Sequence, residues 1–425
     1  MSPLLALLLF FVFLAMGMPI YVVLGFLATL LYVVDGKLLV GIPQLMADHL
    51  NSATLISIPF FVMAATFMQR GGIAQALVDF AFAFVGRVQG GLAVVCVLAT
   101  TVFAAISGSS VATALAMGTL LVPAMVEKRY RRDFALGVVG ASGTLGILIP
   151  PSLAMIVYAI VAEESVPKLF LAGVVPGLLQ AALFVGWIVF YCRREGYPRE
   201  AGLTAQEMVR VTVRALPALA VPVIVLGGIY GGLVTVAEAA ALSAFVAILV
   251  SVLAYGGCSW RDVPGIAAES LKQAAVLIVI IASALVLGHW LTASGYTRSV
   301  VEWVRALGLE GWQFLLVVNL ILFVLGMFLE VISVMLITLP LLLPIVDQLG
   351  IDKVHFAIIV TVNMEIALLT PPVGMNLYVL ASISRAPFGE IVRGITPFVW
   401  LMLGLLLVVT YVPVLSLWLP RLVFG

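Results

Sequence analysis

Two stretches of this chain place a pair of adjacent prolines inside an otherwise apolar segment. They are GILIPPSLAM at residues 146–155 and ALLTPPVGMN at residues 367–376. Proline lacks a backbone N–H donor, and its ring clashes with the preceding helical turn. Each stretch therefore predicts a helix that breaks, the first near residues 148–152 and the second near 369–374.

The two proline pairs belong to an internal repeat. The interval from Pro150 to Pro371 is identical to the interval from the single proline Pro123 to the single proline Pro344. The spacing between the single proline and the proline pair is therefore the same in both halves of the chain. This agreement indicates two copies of one structural unit, an arrangement that secondary transporters commonly use.

The composition predicts an all-α polytopic membrane protein. Hydrophobic residues make up 64% of the 425-residue chain and charged residues only 10%, whereas soluble proteins are roughly 45–50% apolar. The 21 Lys and Arg nearly balance the 20 Asp and Glu, which excludes nucleic acid as a partner. The isolated Cys96, Cys192 and Cys258 indicate no disulfide framework and no zinc site.

Uncharged apolar stretches predict the membrane spans. The segment 3–34, with Gly17 and Pro19 at its middle, allows one long helix or two short ones. Further spans are expected near 52–69, 134–161, 169–192, 216–233, 236–255, 271–291, 354–383 and 395–418. Short amphipathic pieces near 38–50, 73–86, 201–214 and 296–308 suit helices that lie at the interface.

Two segments are too long for single spans. Residues 88–126 carry no charged side chain, and at about 1.5 Å per residue they would cover twice a bilayer core of ~30 Å. Residues 312–346 have a similar build. The small residues of 107–110 and the sequence around Glu330 lie at the two centres, so each segment predicts a re-entrant helical hairpin, with two plain antiparallel spans as the alternative.

Loop charges predict that the two repeats are inverted. Residues 127–133 contain four basic side chains, whereas the matching 347–353 contain one Lys and two Asp. The loop 162–165 is acidic, whereas its counterpart holds Arg385 and Arg393. The positive-inside rule gives the repeats opposite orientations. We expect a first repeat at 1–192, a cytoplasmic connector at 193–215 and a second repeat at 216–425.

Polar residues accompany both breaks. Freed carbonyl groups at the end of a half-helix suit a cation, and freed N–H groups suit a carboxylate. In the first half the polar residues are Ser107, Ser109, Ser110, Thr113, Ser142, Thr144 and Ser152. In the second half they are Ser333, Asn363, Thr370 and Asn376, with Gly374 next to the break. Any one hydroxyl can instead bond a carbonyl one turn back in its own helix.

Two carboxylates lie within predicted membrane segments, Glu330 at the second hairpin tip and Glu365 shortly before Pro371. Such residues are costly to bury and usually functional, so Glu365 is a candidate for proton or ion coupling. Lys and Arg are scarce near the breaks. A bound sodium ion would therefore supply the positive charge that an anionic substrate needs.

An enzymatic alternative rests on Gly140-Ala141-Ser142-Gly143, which resembles the serine motif of rhomboid intramembrane proteases. Its partner would be His289, which lacks the small-residue pattern expected after it. Ser142 also occupies the repeat position of Asn363. The protease hypothesis is therefore remote, and no HExxH or P-loop motif supports other enzymatic or ATP-driven activity.

Three motifs resemble the large membrane subunit of tripartite ATP-independent periplasmic (TRAP) transporters. They are SGSSVATALAMG at 107–118, LGVVGASGTLGILIPPSLAMIVYA at 136–159 and VNMEIALLTPPVGMNLYV at 362–379. The resemblance covers essentially the whole chain. It implies a bacterial or archaeal inner-membrane protein with a scaffold and a mobile transport domain that works as an elevator.

The resemblance also implies sodium-driven import of an organic acid, such as a C4-dicarboxylate, keto acid, sugar acid or sialic acid. A periplasmic binding protein would deliver the acid, and a small four-helix membrane subunit is expected as a separate chain because this one starts directly with the large-subunit pattern. No cofactor other than Na⁺ as coupling ion is implied. The runner-up is a stand-alone sodium- or proton-coupled carboxylate symporter.

Carried onto this sequence, the resemblance and the polar residues predict two sodium sites and a substrate site. Sodium site 1 comprises Ser107, Gly108, Ser109, Gly140, Ser142 and Thr144. Sodium site 2 comprises Glu330, Asn363, Thr370 and Met375. The substrate site comprises Ser110, Thr113, Pro150, Ser152, Pro371, Gly374 and Asn376.

Overall fold

A computed structural model describes residues 3–197, 199, 203–306 and 308–425, and these residues form helices joined by short turns. The other positions lie outside the described residues. They belong to the predicted first repeat, the connector and the amphipathic pieces at 201–214 and 296–308. The first half contains α1 (Pro3–Ala15), α2 (Ile20–Val34), α3 (Gly41–Leu50), α4 (Ala53–Arg70), α5 (Ile73–Val85), α6 (Gly91–Ser107), α7 (Ser110–Glu127), α8 (Arg132–Thr144), α9 (Leu153–Ala162) and α10 (Val166–Arg194).

The second half contains ten further helices in the described part of the chain. They are α11 (Ala205–Tyr230), α12 (Val236–Leu249), α13 (Val263–Ala293), α14 (Tyr296–Ala306), α15 (Gly311–Gly326), α16 (Val331–Gln348), α17 (Lys353–Ala367), α18 (Met375–Ser384), α19 (Phe388–Tyr411) and α20 (Val414–Phe424). The starts of α7 and α16 are separated by the same interval as the two proline pairs, and so are the starts of α8 and α17.

Both predicted helix breaks are present. A short 3₁₀ turn, Leu145–Ile147, follows α8, and α9 begins only after the first proline pair. The second break separates α17 from α18 and contains the second pair. Both Pro-Pro bonds are cis. The segments predicted as hairpins each contain two helices, α6 with α7 and α15 with α16.

The first apolar segment forms two short helices rather than one long one. Gly17 adopts a left-handed backbone conformation with φ +80°, and Pro19 caps the start of α2. These two residues end α1 because glycine reaches this conformation without a side-chain clash. The sequence had left the choice between one helix and two open.

The predicted amphipathic piece at 201–214 is not separate from the following span. A single helix, α11, runs from Ala205 into the span predicted at 216–233 and ends at Tyr230. Thr204 and Glu207 start it with a reciprocal capping box, in which Glu207 Oε2 accepts a bond from the Thr204 N–H at 2.8 Å. This capping satisfies backbone donors that water would otherwise have to satisfy.

Eight described helices are long and apolar enough to cross a membrane. They are the helices α4, α7, α10, α11, α13, α16 and α19, together with α12 and the π-helical turn that extends it to Ala254. Several of the remaining helices are apolar but shorter, among them α9 and α18 next to the breaks. Neither α9 nor α18 is long enough by itself to span a bilayer core of about 30 Å.

The helices pack in two groups. In one group α4 packs on α12 and α13, and α13 packs on α2. In the other, α8 packs on α7 and α19, and α17 packs on α15 and α19. Gly137 of α8 and Gly394 of α19 bring their backbones into direct contact, and a Cβ on Gly394 would lie 2.7 Å from the carbonyl carbon of Asp133. Close approach of membrane helices through small residues is a common packing mode.

This contact predicts that Gly394→Ala destabilises the protein. The new methyl group would meet backbone atoms that cannot rotate away, and such overpacking costs on the order of 1–3 kcal/mol. The measurement is the retention of monodisperse protein in detergent after heating. Gly404→Ala is the matched control, because Gly404 lies in the same helix with open space around it. Equal heat resistance of both variants would contradict the proposed contact.

Candidate functional site

The first hairpin tip rests on the first helix break. Gly108 adopts φ +60°, and its carbonyl oxygen accepts a hydrogen bond from the Leu153 N–H at 3.2 Å. A Cβ on Gly108 would lie 3.0 Å from the Pro151 oxygen, and one on Gly146 would lie 2.7 Å from the Ser109 oxygen. Glycine is therefore required at both positions for the tip to reach the break.

The second hairpin tip meets the second break in the same way. The N–H of Gly374 donates a hydrogen bond of 3.2 Å to the Met327 carbonyl oxygen. Gly326 lies against α17, where an added Cβ would come within 2.6 Å of the Ala367 Cβ. Gly374 and Leu153 occupy equivalent positions in the two repeats, so both repeats make the same kind of contact between tip and break.

The hydroxyl groups of the first tip bond mainly to one another and to the backbone. Ser107 Oγ and Thr113 Oγ1 are 2.5 Å apart, and Thr113 Oγ1 donates to the Ser109 carbonyl oxygen at 2.7 Å. Ser109 caps α7 by accepting a bond from the Ala112 N–H. Ser152 donates to the Ile147 oxygen at 2.6 Å and also caps α9. These bonds fix the hydroxyl oxygens around the first break.

One hydrogen bond joins the two repeats at the site. Asn376 Nδ2, on the half-helix after the second break, donates to Ser110 Oγ of the first hairpin at 2.7 Å. The Asn376 side chain is fully buried, and its Oδ1 atom has no hydrogen-bond partner among the residues that the structure describes. A cavity of about 100 Å³ lies between the two tips, and its lining includes Ser109, Ser110 and Glu330. Thus the structure brings the predicted residues of both hairpins together.

The residues predicted for sodium site 2 have different hydrogen-bond partners. Glu330 is partly buried and accepts a 3.4 Å bond from Ser333 Oγ. Asn363 is fully buried and donates to the carbonyl and side-chain oxygens of Asn319 at 2.8 and 2.9 Å. Thr370 Oγ1 bonds back to the Ile366 oxygen at 2.8 Å. Asn363 therefore faces α15 within a separate polar network.

The remaining predicted positions differ in their surroundings. Pro150 is buried, whereas Pro371 is exposed and Met375 is partly buried. A Cβ on Gly140 would face Leu380 and Ile395 rather than the first hairpin tip.

Glu365 is a fully buried residue of α17. Neither of its carboxylate oxygens has a hydrogen-bond partner among the described residues, and Gln180 of α10 lies next to it. Gln180 Nε2 donates to Thr144 Oγ1 at 3.2 Å. Gln180 thus connects Thr144 of the first repeat with Glu365, which occupies the equivalent position of the second repeat. The buried Ser142 Oγ nearby on α8 has no partner.

Sequence reasoning missed three polar residues that contact the predicted site. Gln180 bonds Thr144, while Asn319 bonds Asn363 and, through its Nδ2 atom, Thr410 Oγ1 at 3.2 Å. Gln180 and Asn319 were detectable as lone amides in the middle of long apolar helices, because polar residues at membrane depth commonly bond other helices. Thr410 gave no such signal.

The geometry does not favour the protease hypothesis. Its serine and histidine have separate surroundings, with His289 Nδ1 lying 3.1 Å from the hydroxyl of Tyr32. Among the described residues, no group of three or more His, Cys, Asp or Glu side chains could hold a metal ion.

Comparison with known proteins identifies the family. A sequence profile described as the DctM component of tripartite ATP-independent periplasmic transporters matches residues 7–415. The chain belongs to this family of TRAP large permeases. The C4-dicarboxylate TRAP transporter large permease of Pseudomonas aeruginosa is 44% identical over 87% of this chain and 86% of the relative. Its counterpart from Rhodobacter capsulatus is 38% identical over 96% of both chains.

A solved structure agrees on the fold. The YdaH transporter of Alcanivorax borkumensis gives a TM-score of 0.58 over 88% of this chain and 87% of that one, at 14% identity. The TRAP permease therefore has the helical fold of a membrane transporter. Its relatives are permease subunits of the inner membrane rather than enzymes.

The bond between Asn376 and Ser110 predicts energetic coupling across the two repeats of the TRAP permease. In a double-mutant cycle, Ser110→Ala and Asn376→Ala should be less than additive by about 0.5–1.5 kcal/mol, the range of hydrogen bonds between membrane helices. The measurement is unfolding in mixed micelles. Thr396→Ala is the control partner, because its hydroxyl bonds within its own helix. Additive effects of Ser110→Ala and Asn376→Ala would refute the coupling.

Proposed function

We propose that this TRAP permease imports an organic acid anion by sodium symport, through an elevator movement, after a periplasmic binding protein delivers the acid. The observation that carries the proposal is the matched pair of contacts between hairpin tip and helix break. Residues of both hairpin tips and of both broken helices line one cavity, and a half-helix end suits a cation whereas a half-helix start suits a carboxylate. C4-dicarboxylates are the first substrate class to test, because the two relatives compared above carry that name.

Sodium coupling is supported by the oxygen atoms at the site. Within the described part of the chain, buried Ser142 Oγ, Asn363 Oδ1 and Asn376 Oδ1 lack hydrogen-bond partners, and buried polar atoms without partners are rare in proteins. Uncharged oxygens of this kind suit a hard monovalent cation. The lining of the cavity between the tips includes no Lys or Arg among the described residues, so a bound cation would provide the countercharge of an anion. We keep both predicted sodium sites within this proposal.

Inverted orientation of the repeats is supported by contacts between their loops. The guanidinium of Arg132, after the first hairpin, donates to the Ser384 carbonyl oxygen, after the second broken helix. Conversely, Tyr158 of the first broken helix bonds the Lys353 oxygen at 2.8 Å, after the second hairpin. Glu164 and Asp347 also line one surface pocket. The loop after each hairpin thus adjoins the loop after the broken helix of the other repeat, as inversion requires.

An elevator movement would shift one of the two packing groups described above relative to the other. We assign both hairpins and both broken helices to the transport domain, and α2, α4, α12 and α13 to the scaffold. The helices α10 and α19 adjoin these elements and must belong to one domain or the other. Their packing favours the transport domain, because Gly394 of α19 contacts α8 through its backbone and a Cβ on Gly173 of α10 would meet the Leu148 oxygen.

Uptake into proteoliposomes tests the function. The chain and its small subunit would be reconstituted, and a binding protein loaded with radiolabelled succinate would be added outside. We expect uptake only with an inward sodium gradient and the binding protein together. Glu365→Gln should retain this uptake, because glutamine has the same shape and still gives Gln180 a polar partner.

Two other outcomes would replace the proposal. Uptake of free succinate without any binding protein would favour a stand-alone symporter. Uptake driven equally by a proton gradient, and lost in Glu365→Gln, would transfer coupling from sodium to Glu365.

A cysteine cross-link tests the movement. An ideal Cβ on Gly288 of α13 would lie 3.3 Å from the Pro340 Cβ of α16, close to the mean Cβ separation of a disulfide, about 3.8 Å. With the three native cysteines replaced by alanine, Gly288→Cys with Pro340→Cys should abolish uptake under oxidation and recover it on reduction, because the bond ties scaffold to transport domain.

Gly25→Cys with Ser283→Cys is the matched control, since its Cβ atoms would lie 4.0 Å apart between two scaffold helices. That pair should leave uptake unchanged when oxidised. Full uptake with the first pair cross-linked would rule out relative movement of α13 and α16.

A further inference from the structure

A second cavity lies beside the first hairpin tip. Its volume is about 370 Å³, and it separates the tip from α4 and α13. This volume falls within the usual range of small-molecule sites, about 300–1,000 Å³. Ser109 and Leu277 line both this cavity and the smaller one between the tips. The two spaces therefore adjoin at the hydroxyl groups of the first hairpin.

Two glutamines provide most of the hydrogen-bonding capacity on the opposite wall. Gln69, one residue from the end of α4, and Gln273, in the third turn of α13, both line the cavity. Neither side-chain amide forms a hydrogen bond within the part of the chain that the structure describes. Each can donate two N–H bonds and accept at its oxygen. They face the space shared with Ser107 and Ser109.

An ion pair lies at the same end of α4 and α13. Arg70 Nη2 contacts Glu269 Oε2 at 2.6 Å and Oε1 at 2.7 Å. Arg70 follows Gln69 directly, and Glu269 lies one helical turn before Gln273. Both charged side chains are about half exposed, with 47% and 44% of their surface accessible, which places this end of the cavity near solvent. The Arg70 charge is already neutralised by Glu269, so uncharged amides remain as the donors toward the cavity.

We propose that Gln69 and Gln273 bind the polar end of the transported organic anion while its other end lies at the first hairpin tip. Amide N–H groups donate to a carboxylate or hydroxyl oxygen without adding a charge that would hold the anion too tightly to be released. The assignment rests on the proposed function, and it adds α4 and α13 as a source of substrate contacts.

Uptake kinetics in the same proteoliposomes test this assignment. Gln69→Ala and Gln273→Ala should each lower the succinate uptake rate about tenfold or more at saturating loaded binding protein, the effect of removing a hydrogen bond to a charged group. The half-saturating concentrations of binding protein and of sodium should stay unchanged, because this inference assigns neither residue to a sodium site or to contact with the binding protein. Gln69→Asn and Gln273→Asn, which keep a shorter amide, should recover part of the rate.

Two controls separate the amide from general effects. Val279→Ala truncates an apolar residue of α13 that does not line the cavity. Gln75→Ala removes an amide that bonds Asp79 at 2.8 Å outside it. Both should transport within about twofold of the unaltered protein, and elution as a complex with the small subunit should show that every variant is folded.

The outcomes distinguish this inference from the function on which it rests. Failure of the unaltered protein to take up succinate would overturn the proposed C4-dicarboxylate function. Normal uptake by both alanine variants beside an active unaltered protein would overturn only the role of the glutamines. An equal loss in Val279→Ala, or a parallel rise in the sodium requirement, would also overturn it, because the cause would then be the packing of α13 or a sodium site.

Discussion

Backbone groups released by the two proline pairs must find partners within the membrane, and the rest of the structure depends on how they do so. A chain break exposed to lipid leaves unsatisfied N–H and C=O groups that cost several kcal/mol each. Here each break lies against its own hairpin tip. The N–H groups of Leu153 and Gly374 bond tip carbonyl groups at the same distance, 3.2 Å. The hairpins thus stabilise the breaks, and the breaks hold the tips at the centre of the protein.

Glycine makes this mutual support sterically feasible. At Gly108 and Gly146 any side chain would collide with backbone atoms of the facing element. Gly137 and Gly394 allow α8 and α19 to approach just as closely. Since membrane helices gain little from burying apolar surface against one another, close packing and hydrogen bonds between helices provide much of their association energy. The same close packing holds the first hairpin tip against the first break and α8 against α19.

The residues around the breaks are mostly polar but uncharged. Hydroxyl and amide groups surround the breaks, and several buried oxygen atoms among them lack partners, including those of Asn363 and Asn376. Uncharged groups can bind a cation or an anion without the large desolvation cost of a permanently buried charge. A transporter must also release what it binds, so weak, shared contacts suit its function better than a fixed salt bridge.

Local sequence determined which helices form, where two of them break and that the chain repeats, because proline geometry, apolar length and residue spacing act within a few turns. It also placed most candidate polar residues at the breaks and identified the TRAP family. It did not reveal that α11 is continuous through its amphipathic start, because the continuity depends on the cap at Thr204. Nor could it show that Asn376 bonds Ser110, far away in the chain, or that Gln180 lies between Thr144 and Glu365. Such neighbours are decided by how helices pack against one another, and only the tertiary structure brings them within hydrogen-bonding distance.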